Sequence, residues 1–568
     1  MHRLRFVTAA LLAVFLLGTV GDAFAQRLFR QRTTNRLAPV RMNVATAELK
    51  AILDLYQVDA LKLFTDSANA EWEAMTTGKE EAFKKSGDAK LAWAKFHSDQ
   101  AAYAKIKELR AKAVGLSAVD ARAAERMELA YEQNQLPPEL LEKMVEMSTE
   151  IEHVFQTHRG ELDGKKYSNN ELIEMLEKET DSAKRKKIWE TLKQVGEVVN
   201  GKVIELAKVR NEAAKKLGFA NYWEMQIHFQ DYNPDELLAI FDELDKTTAP
   251  LFAAIKAELD AELSAKFGIS VEQLMPWHYD NPFFQQAPPS KDVDPNVFYR
   301  SKTKEEIVDI AVKYYKHIGL PYDEVLARSD MFEREGKNQH AFSIDMDTLG
   351  DVRNLNNVKP TVEWMDTVLH EGGHGVYSLL CDRSLPFNLR DSAHIFTTEG
   401  VAMLFGAKAR TPQWMIRFAG IAPDQANAVT DALKKQRRRE QLIFCRWTLV
   451  MLNFEKALYE TPDADLKTLW WDKVEKYQLL KRPPNRQLGD WASKPHFVIA
   501  PIYYHNYMLG ELFASQLRVS LGKSDDKTFG NALTEKVFLP GMRYPWPEFV
   551  KRATGEPLSP KAFSKELK

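Results

Sequence analysis

Residues 370–374 read His-Glu-Gly-Gly-His, and no other feature limits the fold of this chain as much. Two imidazoles four positions apart reach one point only if the backbone between them is helical, which sets them one turn apart on one face. A metal ion suits such a point. Glu371 lies about 100° round the same helix, beside the open position on the metal, where a carboxylate can take a proton from water. The flanks, Val362 to Val368 and Val376 to Leu380, suit a helix. With 13 histidines in 568 residues, chance yields this pattern on the order of 0.02 times per chain. The competing reading is a surface helix with two unrelated histidines. Gly372 and Gly373 weigh against it. Each costs ~1 kcal/mol in a helix relative to alanine, a cost tolerated where something must approach the backbone closely.

A catalytic metal site needs a third protein ligand and one open position. A continuation with Gly three and His six residues after the second histidine fails, because Tyr377 and Leu380 stand there. A glutamate on a following helix is the other solution. Glu399 lies 25 residues after His374, within a helical-looking run from Phe396 to Leu404. Its apolar neighbours Phe396, Val401 and Leu404 argue for burial, where a lone carboxylate is costly unless it holds a cation.

Elsewhere the helical period dominates. Ile188, Leu192, Val195 and Val199 form one helix face. Similar patterns fill Thr46 to Ala74, Ala118 to Gln156 and Pro234 to Phe267, and Asn169 or Asn170 can cap a helix opening at Glu171. Candidate strands are few; the best is Gln339 to Met346, where small and polar residues alternate with Phe342, Ile344 and Met346. Irregular, Pro-rich stretches lie at Met275 to Phe298 and Lys481 to Pro495. The expected fold is therefore mainly α with a minor short β-sheet. The basic cluster Lys434, Lys435, Arg437, Arg438 and Arg439 reads as a solvated helix face rather than an anion site.

Composition excludes other classes. A net charge of −2 lacks the basic excess of a nucleic-acid binder. Two cysteines exclude a disulfide scaffold, and Cys381 and Cys445 read by default as free buried thiols. Basic residues before Phe6, an apolar run to Val20 and the end Ala23-Phe24-Ala25 read as a secretory signal peptide over residues 1–25. The mature chain, 26–568, is expected to be exported, with no membrane span.

Several blocks, in order, resemble the angiotensin-converting enzyme family of peptidyl-dipeptidases. They are His340-Ala341-Phe342-Ser343-Ile344-Asp345, the helix of His370 to His374, and Leu385-Pro386-Phe387-Asn388-Leu389-Arg390 ahead of Glu399. Trp470-Trp471 with Tyr477-Gln478, Lys494-Pro495-His496, and Tyr503-Tyr504-His505-Asn506-Tyr507 follow. The resemblance covers nearly the whole mature chain. It implies a gluzincin: one large catalytic domain with a two-lobed helical zincin fold and a deep central cleft.

It also implies roles. Zinc would be held by His370, His374 and Glu399, with Glu371 as general base and then proton donor to the leaving amine. Tyr507 would stabilise the oxyanion, and His496 would hydrogen-bond the substrate. Lys494 and Tyr504 would receive its C-terminal carboxylate. His340 and the Ala341 backbone would hold the peptide extended. The chain departs from the family in places. Met403 stands where an acidic residue usually orients a ligand histidine, so Asp366 becomes the substitute candidate. Glu224, Val474 and Asn506 replace basic chloride ligands, which makes chloride dependence doubtful. The expected function is zinc-dependent release of C-terminal dipeptides from oligopeptides. An oligopeptide endopeptidase on a similar fold is the alternative, and a non-catalytic peptide-binding protein the second.

Overall fold

The computed structural model describes residues 42–290, 292–522 and 525–568. The signal-peptide reading therefore lies outside the described residues. Four helices come first: α1 (Val44–Thr77), α2 (Glu80–His97), α3 (Gln100–Lys112) and α4 (Ala118–Glu132). Asn43 caps α1 through its Oδ1, and Gly78, in the left-handed region at φ 65°, ends it. Next come α5 (Pro138–Thr157), a hairpin of β1 (Gly160–Leu162) and β2 (Lys165–Tyr167), then α6 (Asn169–Lys178), α7 (Ser182–Lys216), α8 (Tyr222–Phe229) and α9 (Pro234–Phe267). The continuous pattern expected from Ala118 to Gln156 is thus two helices, broken at Pro137-Pro138, where the ring removes a backbone donor. The cap before Glu171 is Ser168, not an asparagine: Ser168 Oγ and the Glu171 side chain satisfy each other's backbone N–H groups.

The second half holds α10 (Lys304–His317), α11 (Tyr322–Leu326), β3 (Phe342–Asp345) paired antiparallel with β4 (Val352–Leu355), α12 (Val362–Leu380) and α13 (Ile395–Gly406). Then follow α14 (Pro412–Arg417), α15 (Pro423–Ala428), α16 (Thr430–Glu460), α17 (Leu466–Gln478), α18 (His496–Ile499), α19 (Tyr504–Ser520), α20 (Lys527–Leu533), α21 (Trp546–Thr554) and α22 (Lys561–Glu566). The fold is mainly α, with two short hairpins among the described residues. None of the described helices is long and apolar enough to cross a membrane.

Two apolar cores result. The larger runs from Leu140 to Leu567 and contains the expected face of α7, with Ile188, Leu192 and Val199 all buried. The smaller joins α1, α3 and α4 to Cys381, Leu385, Phe387 and Leu389, which lie between α12 and α13. Gln57 and Asn388 bond across this junction at 3.3 Å, and Asn388 Nδ2 donates to Ala123 O at 2.8 Å. Both cysteines are buried free thiols.

Three helices meet at glycines. A Cβ on Gly373 of α12 would lie 2.9 Å from Ala402 Cα of α13, and one on Gly400 of α13 would lie 2.7 Å from Gly510 O of α19. Gly372 is overlain by the Tyr315 ring, 2.7 Å from the same ideal position. The glycines inside the His-Glu-x-x-His run thus admit close neighbours. Gly400→Ala should destabilise the fold by about 1–3 kcal/mol through overpacking against backbone. Denaturant unfolding reads this directly. A variant as stable as wild type, helped by the alanine propensity, would show that α13 and α19 separate without cost.

Candidate active site

Helix α12 presents His370 and His374 on one face, and α13 brings Glu399 to meet them. The two Nε2 atoms stand 3.2 Å apart and His370 Nε2 is 3.7 Å from Glu399 Oε2. One ligand atom from each of the three residues lies within 4.8 Å of the others. His374 Nδ1 is 2.6 Å from Thr398 Oγ1. That contact fixes the ring and leaves Nε2 for the shared point. Burial pushes both histidines down from their ordinary value; Asp366 opposes this at His370, and the His370 charge adds to it at His374.

The carboxylates move the other way. Glu371 is pushed up to about 8, first by burial and then by Glu399. Burial pushes Glu399 up to about 7, against a Tyr503 hydroxyl that donates to it at 3.5 Å. One half-buried carboxylate and two imidazoles around one point form a donor set that suits a divalent cation, with the Glu371 carboxyl buried in the same cavity. The residues present therefore fit the metal that the motif implies.

His370, Glu371, His374 and Glu399 share a cavity of about 820 Å³ with Ala341 and the β3 residues Phe342 to Asp345. β3 bonds to β4 along one edge, and the same strand lines the cavity. The expected strand Gln339 to Met346 shortens to these four residues. Asp345 turns the chain by accepting from Thr348 N at 2.7 Å, and Asn338 Oδ1 holds His340 N at 2.8 Å. Ala341 thus joins the metal trio in one cavity. His340 is exposed and outside that lining.

A second group gathers on and beside α19. Lys494 Nζ is buried, 2.7 Å from Gln285 Oε1, and lies 5.3–5.4 Å from the ring centres of Tyr504, Phe283 and Trp447. No acid pairs with it among the described residues, and burial pushes its pKa down to about 7. Tyr504 donates to the same Gln285 oxygen at 3.4 Å. The His496 ring centre is 4.8 Å from that of Tyr504, and His496 Nδ1 is buried without a partner. Burial and then Lys494 push His496 down to about 4. Tyr507 stands one turn beyond Tyr504, its ring centre 5.1 Å from that of Tyr503, whose hydroxyl reaches Glu399. Burial and the Glu399 charge raise the Tyr507 phenol.

Three of these residues escape the sequence reading. Gln285 sits in an irregular Pro-rich stretch with no period to mark it. Thr398 differs from any surface threonine only by preceding Glu399. Tyr503 is hidden in an aromatic run. Asp366, the expected orienting partner of a ligand histidine, is paired instead with Arg410; the contact to a ligand histidine comes from Thr398.

Helical proteins that set His-Glu-x-x-His and a later glutamate around one cation are metallopeptidases. Comparison with known proteins is narrower: the chain belongs to the peptidase family whose model is described as angiotensin-converting enzyme, which matches residues 43–556. It is 22% identical over 425 residues to angiotensin-converting enzyme of Mesocricetus auratus, covering 68% of this chain and 32% of that protein. It is 23% identical over 299 residues to carboxypeptidase 1 of Bacillus subtilis (strain 168), covering 47% of this chain and 58% of that protein. The matches thus span about a third and somewhat over half of these relatives.

Thr398→Val keeps the shape and removes the contact to His374. Metal affinity should fall by about 10- to 100-fold, measured by competition with a chelator of known affinity. Unchanged affinity would show that packing alone holds the His374 ring.

Proposed function

We propose that this chain is an exported zinc peptidase that removes dipeptides from the free C-termini of oligopeptides, with residues 26–568 as one catalytic unit. The observation that carries bond choice is Lys494. A buried ammonium with no acid beside it, held by Gln285 and ringed by aromatic faces, is suited to a single external carboxylate. A relative named as a carboxypeptidase also supports action at C-termini.

The residues then divide the work. His370, His374 and Glu399 would hold zinc, which when bound supplies Lewis acidity and lowers the pKa of water. Glu371, buried in the same cavity, takes the proton from the attacking water and delivers it to the leaving amine. Its raised pKa suits both directions of transfer. Tyr507 donates to the developing oxyanion, with His496 hydrogen-bonding the substrate beside it. Lys494, Tyr504 and Gln285 seat the terminal carboxylate, while the Ala341 backbone at the start of β3 keeps the chain extended, with His340 at its exposed end. Asn506 accepts from Tyr232 at 2.6 Å and donates to Gln230 at 2.9 Å. This neutral buried network supports activity without chloride.

Glu371→Gln should lower hydrolysis by about 10²- to 10⁴-fold while zinc content, measured by elemental analysis, stays at one equivalent. Hydrolysis at the wild-type rate would sink the mechanism. Lys494→Ala should cost free-acid peptides about 10- to 100-fold in kcat/KM and leave amidated peptides nearly unchanged. Mass analysis of products separates the alternatives: successive dipeptides support the reading, and internal cuts mark an endopeptidase. A pH profile tests the same lysine. With a free-enzyme pKa of about 7, its ammonium is present below that value and lost above it. kcat/KM for free-acid peptides should therefore decline above about pH 7, and amidated peptides should lack that limb.

A further inference from the structure

The basic run of α16 is a solvated face only in part: Lys434 and Lys435 are exposed, and the three arginines are partly or fully buried. Arg439 turns to Glu262 with two bonds of 2.9 Å, and Lys435 lies 3.3 Å from the same carboxylate. Arg437 and Arg438 make no hydrogen bond or ion pair among the described residues, and Arg438 Nε is buried without a partner. Both line a cavity of about 740 Å³ walled by α16, the end of α13 and α19. From α19 comes Arg518. Glu566 holds its Nε and Nη2 at 2.9 and 2.8 Å, yet its Nη1 is also buried without a partner. The acidic side chains of the lining are committed: Glu566 to Arg518, and Glu258 to Lys435 at 3.6 Å. Lys408, also in the lining, is paired with Asp525 at 2.6 Å.

Arg437 and Arg438 therefore line the basin without a protein partner among the described residues, and Arg518 adds a third guanidinium to the same wall. Orphaned donors are costly, and clustered cations more so. Burial and the nearby Arg518 both disfavour the charged form of Arg437, against Glu511, Glu566 and Asp366. The missing partner must be anionic and rich in acceptors. A carboxylate offers two oxygens; a phosphate offers three or four on a tetrahedron, which guanidinium forks match in pairs. The volume leaves room for an organic remainder.

We propose that this basin binds a phosphate group, free or as a small monoester, between Arg437, Arg438 and Arg518. The basin adjoins the catalytic site: Ala407, Arg437 and Gln441 also line a cavity of about 220 Å³ that His370 reaches.

The test is calorimetric titration of the zinc-loaded full chain with inorganic phosphate and with glycerol 3-phosphate, at ionic strength fixed with chloride. Saturable binding is expected in wild type. It should weaken by about tenfold or more in Arg437→Gln/Arg438→Gln and little in Lys434→Gln, an exposed lysine of the same run. Tighter binding of the monoester assigns the basin to an organic phosphate, and tighter binding of orthophosphate to the free ion. No saturable heat overturns the proposal. So does equal binding in the double variant, which places phosphate at the metal. Thermal melting without phosphate guards against a folding artefact. Removing unpaired cations should leave the melting temperature equal or higher. A marked drop would make the arginines structural and overturn the assignment. None of these readouts depends on the peptidase reading.

Discussion

The site depends on how closely three helices can approach. Imidazoles on α12, a carboxylate on α13 and phenols on α19 converge only because backbone meets backbone at Gly373 against Ala402 and at Gly400 against Gly510. Such contacts hold distances to a few tenths of an ångström, because a packed interior has little room to adjust. A Tyr315 ring over Gly372, with its hydroxyl donating to Leu369 O, pins the metal helix from another direction. The two glycines of the motif thus serve the positions of its neighbours, at a cost in helix propensity.

Charge is distributed with the same economy. Around the metal point the protein places carboxylates that resist ionising and histidines that resist protonation. Beside α19 it buries an ammonium with only an amide and aromatic faces for company. On the proposed function, a cation at the first and an anion at the second would relieve each arrangement, and stability given up locally would be returned as affinity for a charged ligand of defined sign.

Much of this was legible in the sequence, and the reason is range. His370, Glu371 and His374 are neighbours on one helix, and Glu399 announces itself by apolar flanks one helix later. The helices of α1, α7 and α9 follow from their period, while Pro137-Pro138 breaks a pattern that periodicity alone extends. Gln285 could not be found this way. It meets Lys494 across a separation of 209 residues, and nothing local distinguishes it. The run at 434–439 follows its solvated-face reading only at Lys434 and Lys435, for the same reason. Whether each cation faces water, a glutamate or an unfilled basin is decided by α9, α13 and α19, not by its own helix.

The smaller core bears on how this protein loses function. The segment joining α12 to α13 packs through Leu385, Phe387 and Leu389 on the N-terminal helices, outside the main core. Those helices therefore brace the loop that joins the histidine helix to the helix of Glu399. A protease nick in α1, or partial melting of that small cluster on warming, would loosen the brace while the main core stays intact. Loss of that cluster would then be a local event, distinct from unfolding of the main core.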